Sequence, residues 1–65
     1  MIVLTKLNGD QFVLNAELIR TMDATPDTNI SLINGDRFMV RESLDEVIEK
    51  VYEYKRLLRS LVPTV

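Results

Sequence analysis

Two copies of one short motif dominate the sequence: LNGDQFVL at residues 7–14 and INGDRFMV at residues 33–40. In each copy, Asn-Gly separates two runs of apolar, β-prone residues, which is the strongest short-range signal for a β-hairpin. A two-residue type I′ turn needs positive φ at both positions, and Asn and Gly tolerate this best. The motif therefore predicts two hairpins, with strands at residues 2–7 and 10–15 and at residues 28–33 and 36–41.

The two-residue turn also predicts a register. Leu7 would lie opposite Asp10 in the first hairpin. Two residues further from the turn, Thr5 would lie opposite Phe12. Because successive side chains point to opposite sides of a strand, this register leaves largely apolar residues on both faces of each hairpin. One helix can cover one face, so we expect a partner chain to cover the other.

The segment between the hairpins predicts a short helical turn and a short strand. Asn15 can cap a single helical turn or bend at residues 16–19, and a strand follows at residues 19–24. Pro26 and Asp27 lie in the next turn, since proline presets φ and aspartate can bond the backbone ahead of it. This turn is either a tight connection between strands or a recognition loop.

A capping box marks the start of a C-terminal helix. Ser43 and Glu46 are spaced so that each side chain can bond the backbone N–H of the other residue. The helix is predicted to run to about Leu61, ahead of Pro63. Acidic residues lie near its start and basic residues near its end, which complements the helix dipole. Apolar residues recur at helical spacing in one stripe: Leu44, Val47, Ile48, Val51, Tyr54, Leu58 and Leu61.

These elements predict one small α+β domain over residues 1–65. Its β-rich part covers residues 1–42, with both hairpins in an antiparallel sheet of four or five strands, and an amphipathic helix covers residues 43–62. A chain of 65 residues has a marginal core, and self-association is a common aid to folding at this size. We therefore expect a homo-oligomer.

The composition argues against most kinds of catalytic and metal site. The sequence has no cysteine and no histidine, which removes disulfides, catalysis by either residue and nearly all zinc chemistry. Both glycines lie in hairpin turns, so no phosphate-binding loop remains. We expect no enzyme activity, no metal and no cofactor. No apolar run approaches the roughly 20 residues of a membrane span, and no signal peptide is visible, so a cytoplasmic location is expected.

Two surfaces are candidates for binding. The first would contact protein and combines the Pro26 turn with the helix end, whose leucines lie nearly all the way round the helix. The second is a small basic patch that would contact nucleic acid, although the net charge of −2 counts against it because phosphate contacts dominate nucleic-acid affinity. The protein-contact candidates are Pro26, Asp27, Lys55, Arg56, Leu57, Leu58, Arg59, Leu61 and Val62. The nucleic-acid candidates are Lys6, Arg37 and Arg41.

The opening MIVLTKLNGDQFVLNAEL, followed by a β-rich body and a terminal helix, is similar to the carbon storage regulator family. This resemblance covers roughly the first 18 residues and then weakens. It implies a small RNA-binding post-transcriptional regulator that forms an intertwined β-rich dimer. This is the alternative hypothesis for function.

A second resemblance covers nearly the whole chain. The ordered segments ATPDT at residues 24–28, ISLINGDRFMV at 30–40 and VRES-x-x-EVI at 40–48 resemble the small flagellar and swarming-motility proteins often called FlbD or SwrD. The resemblance implies a bacterial cytoplasmic accessory protein without enzyme activity or cofactor, whose partner would be a flagellar motor, assembly or regulatory protein. It implies no established site residues, only the motif positions Thr25, Pro26, Asp27, Thr28, Asn34, Gly35, Glu42 and Ser43.

Overall fold

The computed structural model describes residues 1–61 of the chain. Within these residues, neighbouring strands pair antiparallel, in one sheet of two strands and a second sheet of three, and one long helix follows them. The predicted α+β fold is confirmed, but the five strands form two sheets and not the single sheet of four or five strands that the sequence predicts, because β1 and β2 pair only with each other. The elements are β1 (Ile2–Thr5), β2 (Gln11–Leu14), a 3-10 turn (Ala16–Leu18), β3 (Ile19–Ala24), β4 (Thr28–Leu32), β5 (Arg37–Val40) and α1 (Leu44–Leu61). The predicted helix stop at Pro63 lies outside the described residues.

The segment between the hairpins folds as the sequence predicts. The 3-10 turn is capped by Asn15, whose side-chain oxygen accepts a hydrogen bond from the Glu17 N–H at 3.0 Å. This is the bond that a capping asparagine is expected to make, because it satisfies an N–H that the turn leaves free. Strand β3 follows at once and pairs with β4.

The two sheets meet where β1 runs into the first turn and β5 runs into the helix. Lys6 forms an isolated antiparallel bridge with Val40, and the Arg41 N–H donates to the Thr5 carbonyl at 2.8 Å. The Glu42 carboxylate extends this link, because it accepts from the Thr5 N–H at 2.9 Å and from the Thr5 hydroxyl at 2.8 Å. Thr5 therefore joins the first hairpin to the segment that starts the helix.

The predicted hairpin register is wrong by one residue. Thr5 lies opposite Gln11 and not opposite Phe12, and Val3 lies opposite Val13. The second hairpin shows the same one-residue shift. A shift of one residue exchanges the two faces of a strand relative to its neighbour, so the shift changes which side chains share a face.

The geometry of the two turns explains the shift. Each loop has three residues, and positive φ occurs at its glycine, +98° at Gly9 and +95° at Gly35, while no other described residue has positive φ. The loop asparagine instead accepts a bond through its side-chain oxygen, 2.9 Å from the Asp10 nitrogen in one turn and 3.0 Å from the Asp36 nitrogen in the other. A type I turn followed by a left-handed residue is the usual three-residue hairpin loop. Asn-Gly therefore serves a different turn from the predicted type I′ turn.

The observed register sorts the apolar residues by face. Phe12 and Phe38, which are equivalent positions of the two motifs, pack beside the core with ring centroids 5.1 Å apart. The outer faces mix polar residues with the exposed Val3, Val13 and Met39. The prediction that both faces of each hairpin are largely apolar is therefore wrong. The buried apolar core consists of Ile2, Leu4, Leu14, Ala16, Ile30, Leu32, Val40 and Val47.

Helix α1 packs on the core through its first half. The predicted capping box is present: the Glu46 N–H donates to the Ser43 hydroxyl at 3.1 Å, and the Ser43 N–H donates to the Glu46 carboxylate at 3.3 Å. Val47 is fully buried and Tyr54 packs against the core, whereas residues 55–60 are all exposed. At 1.5 Å per residue, the 18-residue helix is about 27 Å long, so its second half extends past the sheets.

Candidate protein-contact surface

The turn that contains Pro26 is organised by side chains on either side of it. The Asn29 side-chain amide donates to the Asp27 carbonyl at 3.1 Å and to the Asp23 carboxylate at 3.3 Å. The Asp23 carboxylate also accepts from the Thr25 hydroxyl at 3.3 Å. In the described part of the chain, Asp23 therefore takes the turn-forming role predicted for Asp27, and both Pro26 and Asp27 are left exposed.

The two parts of the predicted protein-contact surface lie at opposite ends of α1. Pro26 and Asp27 line a depression with Ser43 and Leu44, at the start of the helix. Lys55 lies 11 residues beyond Leu44, which is about 16 Å along the helix axis. The structure therefore does not bring the Pro26 turn together with the helix end.

The helix end leaves apolar surface uncovered. Leu58 continues the stripe that buries Val47 and Tyr54, but its side chain is 38% exposed, and that of Leu57 is 59% exposed. Apolar side chains in this position lack the sheet that covers the first half of the stripe. The remaining predicted contact residues are Lys55, Arg56 and Arg59, which are exposed, Leu61, which ends the described helix, and Val62, which lies outside the described residues.

An apolar groove separates the first strand from α1. Met1 and Val3 line it from the strand, and Tyr54 and Leu57 line it from the helix, around a volume of about 340 Å³. Met1 is 64% exposed and Val3 is 46% exposed. Leu57 is one of the contact residues predicted from the sequence, whereas Met1 and Val3 are not. The predicted register places Val3 on the same face as Phe12.

The rim of the groove carries charged side chains of both signs. Glu49 and Glu53 lie along it on successive turns of α1, with Lys50 between them. Glu53 is paired with Arg56 at 3.0 Å, so the two carboxylates are matched by two basic side chains. This arrangement suits a ligand that presents apolar side chains flanked by polar groups.

Of the three basic residues predicted as an alternative nucleic-acid contact, Lys6 and Arg41 lie beside each other at the junction of the two sheets, where Lys6 bridges Val40 and the Arg41 N–H donates to the Thr5 carbonyl. Arg41 packs over the first hairpin turn, where its Nε donates to a carbonyl of that turn at 3.0 Å. The Lys6 ammonium lies 5.7 Å from the centroid of the Phe12 ring. Arg37 shares a depression with Arg20 on the second sheet, and it lies four residues from Arg41, about 13 Å along an extended chain.

Within residues 1–61, no group of three acidic side chains lies close enough to hold a metal ion. No helix in the described part of the chain is long and apolar enough to cross a membrane.

Comparison with known protein families identifies the family of this chain. Residues 1–58 match the model of FlbD, the flagellar and swarming motility proteins. The chain belongs to the FlbD family. This match confirms the second resemblance found in the sequence, and it includes all three motif segments. Comparisons with curated proteins and with solved structures give no match, and nothing in the comparisons favours the RNA-binding alternative.

The motif residues by which the sequence resembles the FlbD family have clear structural roles. Asn34 and Gly35 form the second turn, and Ser43 caps α1. Glu42 holds the junction of the two sheets through Thr5. These four residues therefore shape a turn, the junction of the sheets and the start of α1, and none of them lines the groove.

Glu42 is held as a carboxylate. Burial raises its pKa, but the hydrogen bonds from the Thr5 N–H and hydroxyl lower it, and the charge of Lys50 adds to the lowering. The net result is a pKa of Glu42 below the ordinary glutamate value. A group that loses its proton this readily, with Thr5 as its bonding partner, serves the fold as a fixed acceptor and is poorly suited to act as a proton donor.

Proposed function

We propose that this FlbD-family protein is a non-enzymatic accessory protein that supports flagellar function and swarming by binding another flagellar protein. In this proposal it works in the cytoplasm as a homo-oligomer, and its partner is a flagellar motor, assembly or regulatory protein. The family match supports the flagellar and swarming role. The observation that supports a protein contact is the apolar groove between β1 and α1.

The exposed lining of the groove favours a protein ligand. Met1, Val3 and Leu57 leave about half or more of each side chain in water. They are neighbours around a single groove, and contiguous exposed apolar surface of this kind marks interaction sites in soluble proteins. A partner that covers these side chains gains roughly 25 cal/mol for each Å² of apolar surface removed from water.

The apolar lining and charged rim of the groove indicate the kind of segment that fits it. Glu49, Lys50 and Glu53 lie on the rim, and Glu53 is paired with Arg56. The occupant in this proposal is a segment of a flagellar protein whose apolar side chains fill the groove and whose polar flanks face the charged rim. Such a contact has a polar rim around an apolar centre, as protein interfaces generally do.

The test is swarming by the source organism with its own gene replaced by a Leu57→Glu variant. A carboxylate in the groove disfavours an apolar occupant, so we expect swarm expansion to fall severalfold. The variant should fold normally, because Leu57 is 59% exposed and exposed sites tolerate substitution. Swarming is measured as the speed of the swarm front, alongside the level of the protein in the cells.

Ile33→Glu is the matched control. Ile33 is 64% exposed, so the control makes the same change at a similar exposure, but in the second hairpin turn and outside the groove. We expect this variant to swarm like the wild type. Full swarming by Leu57→Glu, or an equal defect in both variants, would contradict the proposed contact.

A further inference from the structure

The side of α1 that faces away from the core carries a strip of exposed residues centred on Tyr52. Residues of an α-helix lie about 100° apart around its axis. Seven exposed residues then fall within about 60° of Tyr52, nearly opposite the buried Val47. We name this set the outer strip: Asp45, Ile48, Glu49, Tyr52, Lys55, Arg56 and Arg59.

The outer strip is a continuous surface. Asp45, Ile48 and Glu49 line one depression with Tyr52. Tyr52 also lines the next depression, together with Lys55, Arg56 and Arg59. Tyr52 is 63% exposed and Ile48 is 48% exposed, so two apolar side chains lie uncovered at the middle of the strip.

The charges of the strip are arranged symmetrically about Tyr52. Asp45 lies seven residues before Tyr52, and Arg59 lies seven residues after it. Glu49 lies three residues before Tyr52, with the basic Lys55 and Arg56 three and four residues after it. The helix dipole favours acids at one end and bases at the other, but it does not account for exposed apolar residues between them on the same face.

The charged groups of the strip are mostly without ion-pair partners among the described residues. Within residues 1–61 the observed ion pair is Arg56 with Glu53, at 3.0 Å. Asp45, Glu49 and Arg59 make no ion pair with another described residue. As far as the described residues go, carboxylates at one end of the strip and a guanidinium at the other are therefore available to a partner.

Acidic residues of the outer strip precede Tyr52 and basic residues follow it. The outer strip of one copy can therefore pair with the same strip of a second copy that runs in the opposite direction. We propose that two copies of the chain pair through the outer strip as antiparallel helices, with Tyr52 near the two-fold axis. Asp45 of each copy then lies against Arg59 of the other, and Glu49 lies near the basic pair that follows Tyr52. An isologous contact of this kind closes as a dimer. This inference rests on the proposed function, which includes a homo-oligomer.

The pairing leaves the apolar lining of the groove accessible. Leu57 and Tyr54 lie on the sides of α1 that face the groove and the core, whereas the outer strip is centred on the far side and shares Glu49 with the rim of the groove. The dimer therefore presents two grooves, one on each copy. Two linked sites bind a partner assembly that repeats the same segment much more tightly than one site does.

Sedimentation equilibrium over a range of protein concentrations tests the inference with a charge exchange. Asp45→Arg alone and Arg59→Asp alone each place like charges together at both ends of the dimer. Each should weaken association about tenfold, since two favourable contacts between exposed charges become repulsive. The double variant Asp45→Arg/Arg59→Asp restores opposite charges in the antiparallel pair and should associate nearly as well as the wild type.

The control is Glu17→Arg, which makes the same kind of charge change at an exposed carboxylate of the 3-10 turn and should not alter association. Circular dichroism confirms that each variant is folded. A monomeric wild type overturns the dimer and the homo-oligomer of the proposed function together. A wild-type dimer that either single variant leaves intact, or that the double variant fails to restore, overturns the outer strip alone. The groove is judged separately, by swarming of Leu57→Glu.

Discussion

The two halves of α1 have the same sequence pattern and different surroundings. Apolar residues recur at helical spacing from Val47 to Leu58, yet Val47 is fully buried and Leu58 is 38% exposed. The strands that α1 packs on are short: β1 has four residues, about 13 Å, whereas the helix is about 27 Å long. Helical periodicity therefore shows which face of α1 is apolar, but the length of the strands decides how much of that face the protein covers itself.

The uncovered half is where the protein has surface left for a partner. Leu57 lies just beyond the sheet and lines the groove with Met1 and Val3. The first half of α1 holds the fold through Val47 and through its capping box. The fully buried residue of α1 therefore lies in its first half, whereas the apolar residues that α1 contributes to the groove, Tyr54 and Leu57, lie in its second half.

Substitution of one apolar residue in each half gives the largest expected difference. Val47→Ala should lower the free energy of unfolding by about 2 kcal/mol, because it removes buried methyl groups and leaves a cavity. Leu58→Ala should lower it by less than about 1 kcal/mol, because much of the side chain is already in water. Urea denaturation followed by circular dichroism measures both values. Equal losses would show that the second half of α1 is packed as firmly as the first.

The Glu42 junction gives the next largest effect. Glu42→Gln should lower the free energy of unfolding at pH 7 by about 1 kcal/mol, because the bonds from Thr5 lose a charged acceptor. The pKa of Glu42 is lower in the folded chain. The carboxylate therefore contributes its full stability above the ordinary glutamate pKa, and it loses this contribution as the pH falls through the lower folded pKa.

Urea midpoints measured between pH 7 and pH 3 test this pH dependence. The stability difference between the wild type and Glu42→Gln should shrink as the solution becomes acidic. Leu58→Ala serves as the comparison, because it changes no titrating group and should keep a constant difference from the wild type. A Glu42→Gln difference that does not change with pH would contradict the assigned role of the carboxylate.

The sequence predicts the local elements of the fold well, because their signals are local. Ser43 and Glu46 form the capping box, Asn15 caps the 3-10 turn, and β3 lies at residues 19–24 as expected. The register is missed because Asn-Gly is compatible with two kinds of loop. A three-residue loop with positive φ at Gly9 moves the pairing by one residue, and this shift places Val3 on the outer face.

The candidate surface is predicted less completely, because it depends on how distant segments meet. Leu57 is identified from its position on the helix, but Met1 and Val3 enter the groove only through the observed register and the packing of α1. Pro26 and Asp27 are exposed residues of a turn, but they lie near the start of α1, at the opposite end of the helix from Leu57. In the sequence, the helix dipole alone explains the charges of α1. Their symmetry about Tyr52 indicates a contact only when the structure shows that this face of the helix is exposed.

A substitution on the strand side of the groove tests the proposed contact most directly. Val3 and Val13 are cross-strand partners on the same outer face, but Val3 lines the groove and Val13 does not. Val3 is 46% exposed and Val13 is 64% exposed, so Val3→Glu and Val13→Glu are closely matched changes. The decisive measurement is the speed of the swarm front in strains that carry each variant at equal protein level. We predict a severalfold slower front for Val3→Glu and a wild-type front for Val13→Glu. Equal fronts in the two strains would contradict a functional contact in the groove.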